Sequence, residues 1–198
     1  MPKRNTRPTL RHAPISRHLA GFTLVELIVV LVLAGILAGV AGARYFNRTP
    51  FDVATFADQG AAMLRYAQKL AVAQNRPVYV QASSGGIRLC YSATNSASTS
   101  CASPVAAPSG SNSGSTATRA FCTAGGAYAE AWHCEAVPSG ATLTLNPVTA
   151  AVFYFNGLGR PYLANDSGDS SFAGLKMTVA GDGVSRTISV DQETGYVY

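Results

Sequence analysis

"TPFDVATFADQGAAMLRYAQKLAVAQNRPVYVQAS", Thr49 to Ser83, changes its hydrophobic period once, and that change sets the architecture. Up to Gln74 the apolar residues Val53, Phe56, Met63, Leu64, Ala67, Leu70 and Ala71 recur three and four apart, as on one face of an α-helix. Thr49 is a good N-cap, Pro50 suits the first helical position and Asp52 favours the first turn. "NRP", Asn75 to Pro77, ends the helix. Beyond Pro77 the period becomes two: "VYVQAS" and "GIRLCYS" read as strands of a hairpin about Ser84-Gly85-Gly86.

Further along, "ATLTLN", "AVFYFNG", "GLKMTVAG" and "SRTISVDQETGYVY" read as strands. Asn156-Gly157, Gly181-Asp182-Gly183 and Thr194-Gly195 mark turns between them. Residues 93–120 are rich in Ser, Ala, Thr and Gly and lack a periodic face, so they read as a flexible loop. One helix followed by about six strands predicts an α+β domain, the helix packed on a mostly antiparallel sheet.

Toward the N-terminus, "FTLVELIVVLVLAGILAGVAGA" from Phe22 to Ala43 holds one charged residue, Glu26. About 20 apolar residues cross a bilayer. A cleaved secretory signal is the alternative, since "AGVAGA" imitates its cleavage site, but such apolar regions are usually about 7–15 residues long. Five of the fifteen basic residues (Lys3, Arg4, Arg7, Arg11 and Arg17) precede the run with no acid among them. This places the N-terminus in the cytoplasm and the later residues across the membrane. The other ten bases face ten acids, so the main domain offers no net basic surface for nucleic acid. The organisation expected is a basic leader at 1–21, a transmembrane helix at 22–43, its amphipathic continuation at 44–76, kinked or interrupted at Pro50, and a β-rich domain at 77–198.

Four cysteines, Cys90, Cys101, Cys122 and Cys134, suit an oxidising compartment and allow three pairings. Cys101 and Cys122 stand within or beside the polar excursion, which favours the two local pairs, Cys90–Cys101 and Cys122–Cys134. A zinc site with His133 is the rival, but no C-x-x-C pair is present. Asp166 and Asp169 in "NDSGDSS" could hold Ca²⁺, but a solvated turn is the commoner explanation of such a loop. No nucleophile elbow accompanies the abundant serines. No enzyme, metal or cofactor is expected.

"GFTLVEL", Gly21 to Leu27, resembles the prepilin processing motif of type IV pilins and type II secretion pseudopilins. The resemblance implies that a prepilin peptidase cuts between Gly21 and Phe22 and methylates the new amino group of Phe22. It also implies that Glu26 pairs with the N-terminal ammonium of a neighbouring subunit during assembly. The leader is longer than those it resembles, which leaves the start of translation open. "FADQGAAMLRYAQKLAVAQNRPVYV", "FYFNGLGRPY" and "ISVDQETGYV" are similar to GspH/FimT-like minor pilins, closest to the MSHA type. The implied partners are other pilin subunits, the peptidase and an inner-membrane assembly platform. The implied place is the bacterial inner membrane with a periplasmic domain, then the pilus. A GspH-like pseudopilin is the alternative function. A DNA-uptake pilin is a third, recognised by Gly-Arg-x-Arg near the C-terminus. Here that place reads Gly195-Tyr196-Val197-Tyr198, without the cations that phosphate needs. The two tyrosines could stack on bases, but core or cross-strand packing is the commoner use. Arg160 reads as an exposed turn residue rather than a ligand contact.

Overall fold

The structure, a computed structural model, describes residues 21–45, 48–92 and 101–198. The chain divides into an N-terminal unit ending at Phe46 and a larger unit from Asn47 to Tyr198. In the first unit, α1 runs from Leu24 to Tyr45. Residues 46–47 lie outside the described residues, and with them the expected continuation between the two helical halves.

In the larger unit, α2 spans Thr49–Gln74 and buries Val53, Phe56, Met63, Leu64, Ala67 and Ala71, the stripe read from the sequence, together with Ala57, Gly60 and Ala61. Leu70 of that stripe is only partly buried. Thr49 is not the N-cap. Arg48 holds that position, because the N–H groups of Phe51 and Asp52 both donate to its carbonyl at 3.0 Å. Pro50 carries no N–H and so removes one donor that a cap would have served. At the other end Asn75 turns left-handed (φ 48°), and the Arg76 N–H donates to the Ala71 carbonyl at 3.2 Å.

β1 (Val78–Ser83) and β2 (Gly86–Cys90) form the expected antiparallel hairpin. Gly86 is required there: it has φ +153°, and a Cβ would overlap the Glu135 carbonyl. After a short helix α3 (Thr116–Phe121) and a two-residue hairpin of β3 (Thr123–Ala124) and β4 (Ala127–Tyr128) comes β5 (Cys134–Ala136). Then follow β6 (Thr142–Asn146), β7 (Val152–Phe155), β8 (Pro161–Leu163), β9 (Leu175–Gly181) and β10 (Val184–Val190). One sheet has the order β5-β2-β1-β7-β8 and a second β10-β9-β6, with every pairing antiparallel. The C-terminal residues extend the second sheet: Tyr198 and Ser189 exchange N–H···O bonds of 2.8 and 3.0 Å.

The apolar face of α2 covers both sheets. Phe56, Met63 and Leu64 pack with Val78, Val80, Ile87, Leu89, Phe153 and Phe155 of one sheet and Met177, Val179 and Ile188 of the other. The alternation of β1 and β2 sends Tyr79, Arg88 and Cys90 to the opposite face. A second cluster forms there from the four cysteines, Trp132, Tyr79 and Phe121. The fold is therefore α+β as expected, with more strands than the sequence suggested. The polar excursion also differs from its reading. Residues 93–100 lie outside the described residues, but from Cys101 onward the chain is held. Val105 donates to the Leu89 carbonyl at 3.1 Å and accepts from the His133 N–H at 2.7 Å, and it is 1% exposed. Periodicity cannot reveal such order, because it comes from pairing with residues distant in sequence.

Candidate functional site

The site indicated by the sequence begins just outside α1. Gly21, Phe22 and Thr23 precede its first residue, Leu24. The Thr23 hydroxyl accepts the Glu26 N–H at 3.2 Å, and the Thr23 carbonyl accepts the Leu27 N–H at 3.2 Å. Thr23 is thus the helix cap, with Glu26 three residues on, where its negative charge favours the N-terminal end of the helix. Sequence reasoning passed over Thr23, although Thr-x-x-Glu ahead of an apolar run was a readable sign.

Gly21 has open space around it: an added Cβ would meet nothing within 4 Å. Among the described residues, no packing contact calls for a glycine there. Phe22 is 79% exposed, and every described side chain of α1, from Leu24 to Gly39, is exposed. A helix apolar all round needs lipid or other helices about it. Among the described residues no helix is long and apolar enough to cross a membrane. The side chains of residues 40–47 lie outside the described ones.

In the larger unit the structure joins Cys90 to Cys101 and Cys122 to Cys134, with Cα–Cα distances of 5.9 and 5.8 Å. All four sulfurs are engaged, and no group of three or more His, Cys, Asp and Glu among the described residues could hold a metal ion. His133 lies against the Tyr66 ring at 5.0 Å, and its Nδ1 is buried without a hydrogen-bond partner among the described residues. Burial pushes its imidazole below the ordinary value, with the Glu135 carboxylate pulling the other way.

Glu135, which belongs to no motif read from the sequence, is 4% exposed. Its carboxylate accepts the Ser113 N–H (2.7 Å), the Ser113 hydroxyl (2.6 Å) and the Thr118 hydroxyl (3.0 Å). It anchors the excursion to the sheet edge. Its charge is met by these three bonds from the excursion.

Asp166 closes its own loop. It accepts the Leu163 N–H at 2.7 Å, the Ser171 N–H at 3.0 Å and the Ser171 hydroxyl at 2.5 Å. Partial burial pushes its carboxyl up, and these bonds outweigh that and hold it below the usual range. Asp169 is exposed, so the two carboxylates form no common site. Arg160 is exposed and joins two turns, donating to the Glu193 carboxylate at 3.1 Å and the Glu193 carbonyl at 3.3 Å. Gln68 of α2 ties the same turns, donating to the carbonyls of Gly159 and Thr194 at 3.0 and 2.9 Å. The "GRP" and terminal "TG" segments, distant in sequence, therefore meet on one flank of α2. Tyr196 and Tyr198 are not core residues. They are 63% and 62% exposed and stack on each other, while Val197 between them takes the buried position.

The model of the prokaryotic N-terminal methylation motif matches residues 17–42, the segment holding Gly21, Phe22 and Glu26. In solved structures the chain is similar to the type IV minor pilin FimU of Pseudomonas aeruginosa in two crystal forms. One shares 15% identity over 76% of this chain and 90% of that one, with a TM-score of 0.44. The other shares 16% over 73% and 89%, with a TM-score of 0.41. No curated protein matches the chain.

Proposed function

We propose that the chain is a minor pilin subunit of a type IV pilus of the MSHA-like kind, made as an inner-membrane prepilin. It is a structural subunit, not an enzyme. A prepilin peptidase cuts between Gly21 and Phe22 and methylates the amine of Phe22. The apolar α1 holds the precursor in the membrane with its larger unit in the periplasm. Glu26 then pairs with the Phe22 ammonium of an adjacent subunit as the chain passes from lipid into the filament, where low dielectric makes the pair strong.

The observation that carries this reading is the methylation motif over residues 17–42. The open surroundings of Gly21 support it, because a glycine with no role in its own fold suits a demand from outside, such as a narrow protease site. Cells whose only copy is Gly21→Val are expected to accumulate an unshortened precursor, read by mass and immunoblot. Normal shortening would refute the proposal. The same cells separate the two machines. Loss of surface filaments marks a pilus subunit, whereas loss of exported enzymes with filaments intact marks the GspH-like pseudopilin of type II secretion. DNA uptake finds little support, since Tyr196 and Tyr198 stand where cations would be needed.

A further inference from the structure

We infer that Thr23 is a positioning residue for cleavage at Gly21–Phe22, keeping the scissile peptide outside α1. This rests on the processing reading above. In an α-helix each N–H donates to the carbonyl four residues earlier. The Glu26 N–H would therefore go to the Phe22 carbonyl if α1 began one turn sooner. The Val25 N–H would go to the Gly21 carbonyl, which is the scissile one. Instead the Thr23 hydroxyl takes the Glu26 N–H at 3.2 Å. The first helical acceptor becomes the Thr23 carbonyl, bonded to the Leu27 N–H at 3.2 Å. The cap thus competes directly with the bonds that would draw Phe22 and then Gly21 into the helix.

The consequence for a protease is geometric. A peptide bound through its backbone must be extended, with its N–H and C=O groups free to pair with the enzyme. Gly21 and Phe22 meet that condition: neither is helical, both are exposed, and neither carbonyl accepts a backbone hydrogen bond among the described residues. The apolar sequence that follows would favour helix continuing toward the N-terminus, because a free N–H beside lipid is costly. Thr23 satisfies that N–H locally and stops the helix two residues after the cut. Valine has the same shape without the hydroxyl and is among the poorest caps, whereas serine is among the best.

The test follows the full-length chain, made with its peptidase in the bacterial inner membrane, by pulse-chase. Conversion is scored as the fraction of membrane-inserted precursor shortened per unit time, and the new N-terminus is checked by mass. Thr23→Val is expected to slow conversion about five-fold, the population change that loss of an ordinary cap corresponds to. Thr23→Ser should convert at the unaltered rate, and Gly21→Val should not convert. A defect that merely perturbed the anchor would not be rescued by serine. Unaltered conversion of Thr23→Val beside a blocked Gly21→Val would overturn the positioning role and leave the processing reading standing. Equal slowing by valine and serine would do the same. Normal conversion of Gly21→Val would overturn the processing reading itself.

Discussion

The glycines and the histidine show how single positions answer to different demands. Gly86 is dictated from within, since a Cβ there would strike the neighbouring strand. Around Gly21 no described residue comes within 4 Å of an added Cβ. The packing demand on Gly86 is invisible in the sequence, and only its surroundings in the fold reveal it. His133 carries a pH dependence of its own. Burial holds its imidazole below the ordinary value, partly offset by Glu135. An unfolded chain gains that proton near pH 6.5 and the folded chain only at lower pH. The unfolded state therefore binds more protons in between, so stability is full above about pH 6.5 and falls as the pH drops below it. Asp191 is held low chiefly by the Thr194 N–H, and Asp166 by bonds that outweigh its burial. Depressed carboxyls lose their contributions only as pH falls below about 3.9, so they do not obscure the histidine. The urea midpoint of the purified chain should fall between about pH 7.5 and about pH 5.5, and His133→Gln should flatten the slope. An equal slope in the variant would place the dependence elsewhere.

Among the elements, legibility followed how local the cause of order was. The helix α2, the β1–β2 hairpin and the β9–β10 hairpin each carry a strong period and their own turn residues, so they could be read directly. The strands β5 and β8 are three residues each and exist through their partners, β2 and β7. The excursion from Cys101 was illegible for the same reason. Its order depends on Glu135, on backbone bonds to Leu89 and Ala131, and on two disulfides. Near the N-terminus Gly21, Phe22 and Glu26 stood out as a motif, while the cap at Thr23 was legible only as a Thr-x-x-Glu spacing that the apolar run overshadowed, and the hydrogen bond from the Glu26 N–H brings it out. The disulfides bridge sequence separations of 11 and 12, and closing such loops contributes about 3 kcal/mol each. They lie in a cluster with Trp132, apart from the core under α2. Trp132 is the only tryptophan and is 2% exposed. Reduction without denaturant should shift its fluorescence to the red while far-UV circular dichroism of the main sheets is largely kept. Simultaneous loss of both signals would show that the excursion and the core fold as one unit.

At the scale of the whole molecule, the two units treat their apolar side chains differently. The large apolar side chains of the N-terminal unit, from Phe22 through Leu37, are exposed along the helix. Those of the larger unit are almost all inside, the exceptions being single residues such as Phe51, Val72 and Leu158. Lipid and a bundle of similar helices can each cover an apolar helix, and dispersion alone discriminates weakly between them. In the proposed assembly, Glu26 would supply the difference. Beside lipid its carboxylate is poorly accommodated, whereas beside a neighbour's Phe22 ammonium it gains an ion pair strengthened by the low dielectric. On the proposed reading that ammonium exists only after cleavage, so the same residue would tie assembly to prior processing. Glu26→Gln keeps the side chain's shape and removes the charge. It leaves Thr23 and the cut site unaltered, so the variant should be shortened normally. It should then remain in the inner membrane, with its filament fraction falling at least about ten-fold, the effect of losing roughly 1.4 kcal/mol of preference for the filament. Fractionation of sheared filaments from membranes, with mass of the mature N-terminus as the control, measures both steps. Incorporation of Glu26→Gln at the level of the unaltered chain would remove the ion pair from assembly and leave the apolar helix as the only driving contact.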